Sequence, residues 1–93
     1  MSKDRRYTTV KNLISGGYIK TFSEIFETLP KSVMARDLGM NNIRFTKLMN
    51  NVDDFFLRDI FRMAVLLEIS EATMYELIWQ QYTIDKKSKK KKV

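Results

Sequence analysis

Apolar side chains recur along much of this chain at spacings of three and four, the period of a helix buried on one side. The clearest stripe is Leu57, Ile60, Phe61, Ala64 and Leu67, which predicts a helix over 57–67 with Asp53 or Asp54 helping to cap it. Ser70 then caps a last helix over about 71–81, in which Met74, Leu77, Ile78 and Gln81 share a face. Tyr18, Phe22, Ile25, Phe26 and Leu29 predict another helix over 18–29, which Pro30 either ends or follows as the first turn of the next. Nearer the start, Val10, Leu13 and Ile14 fit one face of a short helix over 9–15 capped by Thr9, with a strand as the alternative. Residues 1–8 read as a flexible arm, and Gly16-Gly17 punctuates the chain.

The centre has a tighter pattern. Residues 31–38 form a short helix that buries Met34, Ala35 and Leu38. Gly39 follows, where a left-handed residue closes a helix at little cost. Met40 plugs the space between helices, Asn41 is a natural N-cap, and a helix over 42–50 turns Phe45, Leu48 and Met49 inward before Asn50-Asn51 ends it. A short helix, a tight turn and a second short helix over residues 31–51 make a helix-turn-helix. Ala35 is small because the two helices cross beside it. The inward spacing leaves Asn42, Arg44, Thr46 and Lys47 toward solvent, where a second helix can enter a major groove with its early side chains at base edges. Arg44 and Lys47 suit guanine or phosphate, and Asn42 suits adenine; the plainer reading is a solvated helix face. Lys31 and Ser32 lie at a helix N-terminus, which favours phosphate but also needs capping for its own sake.

At these residues the chain resembles the lambda-repressor-like helix-turn-helix family, of the Cro/CI type. The family's Leu-Ala-x-x-Leu-Gly-Val-Ser is matched by Met34-Ala35-Arg36-Asp37-Leu38-Gly39-Met40-Asn41. Its later Leu-x-x-Ile-Ala-x-x-Leu-Gly-Val-Ser is matched by the stretch from Ile60 to Ser70, and its closing segment by Met74-Tyr75-Glu76-Leu77-Ile78. The resemblance covers about residues 22–81 and implies a compact five-helix, all-α DNA-binding domain with a short N-terminal extension. The chain also looks like short proteins of this type from gut bacteria related to Bacteroides, which implies no function. Carried over residue by residue, base reading falls on Asn42, Ile43, Arg44, Thr46 and Lys47. Phosphate contact falls on Lys31 and Ser32, and on Asn50 and Asn51 in the following loop. The chain departs from the family at Ile43, apolar where a polar reader is common, and at Phe56, where a serine or threonine N-cap is usual.

Charge changes this picture. The 93 residues carry 17 basic and 11 acidic groups, but six of the lysines fall between Lys86 and Lys92. Residues 1–85 are therefore formally neutral, and residues 12–85 hold seven basic against ten acidic groups. Phosphate affinity comes mainly from lysine and arginine, so the expected electrostatic help lies at the ends, on Arg5 and Arg6 in the arm and on Lys86 and Lys87 at the start of a disordered tail. The domain plan is a basic arm over 1–17, a helical domain over 18–82 and the tail over 83–93. Cysteine and histidine are absent, so no disulfide or thiolate metal site is expected, no cofactor is implied, and an enzyme is disfavoured. No stretch is long and apolar enough for a membrane span, and no signal peptide is evident, so a cytoplasmic location is expected.

Trp79 and Tyr82, with Tyr75 beside them, lie off the main stripe of the last helix. They either cover the N-terminal helix or build a homodimer surface. Two functions follow: a transcription regulator that binds double-stranded DNA, or a protein-interaction module on the same scaffold, with RNA binding through the basic ends a minor third.

Overall fold

The computed structural model describes residues 4–91. These form five helices, α1 (Arg6–Ser15), α2 (Lys31–Leu38), α3 (Asn42–Asn50), α4 (Leu57–Leu67) and α5 (Glu71–Lys91), with 3-10 turns at Ser23–Glu27 and Val52–Asp54. Among the described residues there is no strand, and no helix is long and apolar enough to cross a membrane.

Helix α4 is the central element, in contact with α1, α2 and α5, while α3 packs on α2 and on the second 3-10 turn. Val10, Phe22, Ile25, Leu29, Met34 and Phe45 are fully buried in one continuous core. At its middle, Phe22, Phe26, Phe45 and Phe55 close a ring of edge-to-face contacts, with successive centroids 5.1, 5.6, 6.1 and 5.4 Å apart. Each such pair adds about 0.5–1.5 kcal/mol beyond area burial. The quartet joins the 3-10 turn before α2, the middle of α3 and the loop before α4.

The expected arm over residues 1–8 is corrected over its described part. Helix α1 begins at Arg6, and the Asp4 carboxylate accepts from the Arg6 amide at 2.9 Å, so Asp4 rather than Thr9 satisfies the helix start. Tyr7 extends the Val10 and Ile14 stripe by one turn and is buried, its hydroxyl donating to Asp37 Oδ2 at 2.7 Å. Because that partner lies 30 residues away on α2, local pattern could not reveal it.

The helix expected over 18–29 is reduced to the single turn at Ser23–Glu27, and Tyr18 is exposed. Phe22, Ile25 and Leu29 are buried as the spacing requires, but the backbone is satisfied from outside. Glu24 accepts from the Lys20 and Thr21 amides at 2.8 and 2.9 Å, Leu77 O from the Phe22 amide at 3.2 Å, and Gln81 from the Ser23 amide at 3.0 Å. Once these groups are paired, no continuous helical ladder is needed.

The stripe on α4 is also corrected. Ile60, Ala64 and Leu67 are buried, but Leu57 and Phe61 are exposed, and Met63 fills the core in their place. Apolar residues wrap more than half of this helix, so the neighbouring elements decide which arc is covered. Phe56 is the N-cap and accepts no side-chain bond; Asp59 supplies first-turn negative charge, and Arg58 lies 5.1 Å over the Phe56 ring. Asp53 and Asp54 belong to the preceding 3-10 turn rather than to a cap of α4.

The last helix passes well beyond the expected end at 81. The backbone stays helical through the lysine run to Lys91, where a disordered tail was expected. Lysine is a good helix former and the run contains no glycine or proline to stop it. Lys3, Lys92 and Val93 lie outside the described residues.

Candidate nucleic-acid interface

Helices α2 and α3 have the predicted bounds. The Gly39 amide donates to Arg36 O at 3.0 Å and the Met40 amide to Ala35 O at 2.9 Å, closing α2 with Gly39 at φ +75°. This pair of bonds is a Schellman closure. Asn41 then turns extended, and its side chain accepts from the Arg44 amide at 2.8 Å, which caps α3. From α4, Arg62 Nη2 donates to Leu38 O at 2.8 Å and brings a cation to the negative end of α2. No local sequence signal marks that contact.

The same device recurs. At the end of α4 the Glu68 amide donates to Val65 O and the Ile69 amide to Ala64 O, and Ser70 Oγ accepts from the Thr73 amide at 3.0 Å to cap α5. Ala35-x-x-Leu38-Gly39-Met40-Asn41 and Ala64-x-x-Leu67-Glu68-Ile69-Ser70 are thus two copies of one turn. They differ in the left-handed residue, which in the second is Glu68 at φ +56°.

Phe45 and Leu48 pin α3 to the core. On its outer side Asn42, Ile43, Arg44 and Lys47 are exposed, with Ile43 at 72%. Thr46 is half-buried, and its hydroxyl accepts from Lys31 Nζ at 2.8 Å, so a predicted phosphate contact on α2 and a predicted base reader on α3 touch. Ser32, Asn50 and Asn51 are exposed at the two ends of this pair, and Asn51 Nδ2 donates to Lys47 O at 3.3 Å. Among the described residues Arg44 and Lys47 enter no ion pair, whereas Arg36 on α2 is held to Asp37 at 3.2 Å.

The basic ends do not gather on this face. Arg6 makes a double contact with Asp4, at 2.9 and 2.7 Å, and that guanidinium holds the Asp4 carboxyl well below the usual range. Arg5 is exposed beside it. The Tyr7–Asp37 bond sets this start near the C-terminal end of α2, the end opposite Lys31. Lys86 sits 6.0 Å from the Tyr82 ring and Lys87 is exposed, about two turns past Trp79 on α5.

Trp79 and Tyr82 do not cover α1. With Tyr75 and Leu57 they line a groove of about 370 Å3, with Val52, Phe55, Ile60 and Ile78 along it, between α5 and the start of α4. The sequence marked Tyr75, Trp79 and Tyr82 as lying off the main stripe of α5 but placed Leu57 inside, and only the observed arc of α4 leaves Leu57 outside to complete the groove. Among the described residues no group of three or more potential metal ligands forms. No family model matches the chain, and neither the curated proteins nor the solved structures contain a significant match.

Proposed function

We propose that the protein is a small sequence-specific DNA-binding regulator that lays α3 in a major groove, in the manner of the lambda-repressor-like domains that residues 22–81 resemble. The observation that carries this reading is the outer side of α3. It bears Asn42, Arg44 and Lys47, all exposed, on a helix fixed at both ends by the Asn41 cap and the Phe45 and Leu48 anchors. Arg44 offers the paired donors that suit guanine, Asn42 the amide that suits adenine, and Lys47 a phosphate or base contact. Ile43 beside them is placed to meet a thymine methyl. Lys31, bonded across to Thr46, and Ser32 would take the backbone phosphates at the start of α2. Such a protein acts by occluding or recruiting at a promoter.

The test is selection from a random duplex library, run at low salt with the wild type and with R44A/K47A. The wild type enriches a defined sequence and the double variant does not. Absence of any enriched sequence overturns specific DNA reading, and enrichment unchanged by the double variant overturns α3 as the reader. The second reading, a protein-interaction module, is favoured by Ile43, a branched apolar side chain 72% exposed at the centre of the face. It predicts that I43D abolishes a protein contact while R44A/K47A leaves that contact intact.

A further inference from the structure

Tyr75, Trp79 and Tyr82 follow one another on α5 at spacings of four and three, so their rings form one wall of the groove between α5 and the start of α4. The Trp79 and Tyr82 centroids lie 5.9 Å apart with their planes inclined by 34°. Tyr75 is 51% and Trp79 52% exposed, and Leu57 carries the apolar surface across to α4. The volume of about 370 Å3 falls at the lower end of the roughly 300–1,000 Å3 typical of small-molecule sites.

Charge at this groove has one sign. Asp53, in the 3-10 turn before α4, lines it, and among the described residues no basic side chain does. Asp53 enters no ion pair among the described residues. Tyr75 and Trp79 also border a second recess, which contains Glu76 and again no base. At its far end the aromatic wall already holds one cation, since Lys86 Nζ stands 6.0 Å from the Tyr82 centroid. The faces of such rings carry partial negative charge and attract cations.

We propose that the groove binds a small organic cation with an alkylated nitrogen, a tertiary or quaternary ammonium, held between the Tyr75 and Trp79 rings and the Asp53 carboxylate. Other ligand chemistries fit less well. An acidic ligand meets Asp53 and Glu76 with like charge. A neutral apolar ligand draws no attraction from Asp53 and takes water away from it. A bare ammonium is compact and strongly hydrated, and the one present, on Lys86, stays at the end of the wall. An alkylated ammonium spreads its charge over carbon, so it sheds water at low cost and packs its methyl groups on Leu57 and the ring faces. Asp53 is exposed and its pull is screened, so the rings supply most of the selectivity. Neither the groove nor its test involves the outer side of α3, so the result is independent of DNA reading.

Trp79 is the single tryptophan, so one indole N–H resonance reports on the groove. Titration of isotope-labelled protein with acetylcholine, used as a quaternary ammonium probe, moves that resonance with a Kd of about 1 mM or tighter. The neutral isostere 3,3-dimethylbutyl acetate, in which carbon replaces the nitrogen, binds about fivefold more weakly. Y75L and D53N alter exposed side chains and keep the indole reporter. They weaken acetylcholine about fivefold and about threefold, and D53N leaves the isostere unchanged. K86Q, which frees the Tyr82 face, tightens acetylcholine about twofold. An indole resonance unmoved at about 20 mM acetylcholine overturns the proposal. Equal affinity for the cation and its isostere, or full affinity in both Y75L and D53N, overturns cation recognition and leaves only an apolar groove.

Discussion

Gly39 and Glu68 hold the same left-handed backbone at the ends of α2 and α4, with φ of +75° and +56°. A side chain at such a φ costs about 1–2 kcal/mol, partly offset by the extra freedom glycine has when unfolded. Open space surrounds the Cβ that would be added at Gly39, so G39A should lose about 1 kcal/mol through the backbone alone. Glu68 already bears that strain, and its link to Lys11, at 3.9 Å between exposed groups, returns little. E68G should therefore gain about 0.5–1 kcal/mol. Urea unfolding of the two variants checks the opposite signs. Tyr7 gives a pH-dependent counterpart. Burial and the Asp37 carboxylate raise its pKa above the ordinary 10.0, so the folded state favours the neutral phenol. That contribution is complete below pH 10.0, where the unfolded phenol is also neutral, and is lost as pH rises above it. Y7F should cost about 1 kcal/mol near neutrality through the lost hydrogen bond. Its disadvantage should shrink in unfolding curves taken at about pH 11, because the wild type alone suffers the penalty there.

Between elements, the caps decide where helices start. Asn41 and Ser70 each supply a side-chain acceptor to the amide three residues on, Arg44 and Thr73. N41A and S70A should each cost about 1 kcal/mol, read as a shift in the thermal midpoint. N41A should also weaken any ligand held by α3, because it frees the turn that carries Asn42 and Arg44. These caps were legible in the sequence because each acts within three residues. The segment over 18–29 was not legible in the same way. Its apolar spacing is helical, but its amides are taken by Glu24, Leu77 and Gln81, and the last two arrive from a helix more than 50 residues later.

For the whole molecule, charge placement separates the candidate contacts by what they should do. If α3 reads DNA, R44A should change the enriched sequence and cost about 1–3 kcal/mol at the preferred site. K31A should weaken all sequences alike and lower the slope of log K against log salt by about one. Binding isotherms across a salt series distinguish the two. R6A should leave that slope nearly unchanged, since Arg6 is engaged by Asp4. The sequence by itself determined an all-α chain, the bounds of α2 and α3, the Gly39 turn and the outward set Asn42, Arg44 and Lys47, because helical period, caps and turns act over three to five residues. Tertiary structure alone decided that Tyr7 belongs to the core, that Met63 rather than Phe61 faces inward, that Lys31 meets Thr46, and that Trp79 and Leu57 share a groove. Each of those depends on which distant element covers a helix already apolar on several sides, and that choice is made by packing rather than by periodicity.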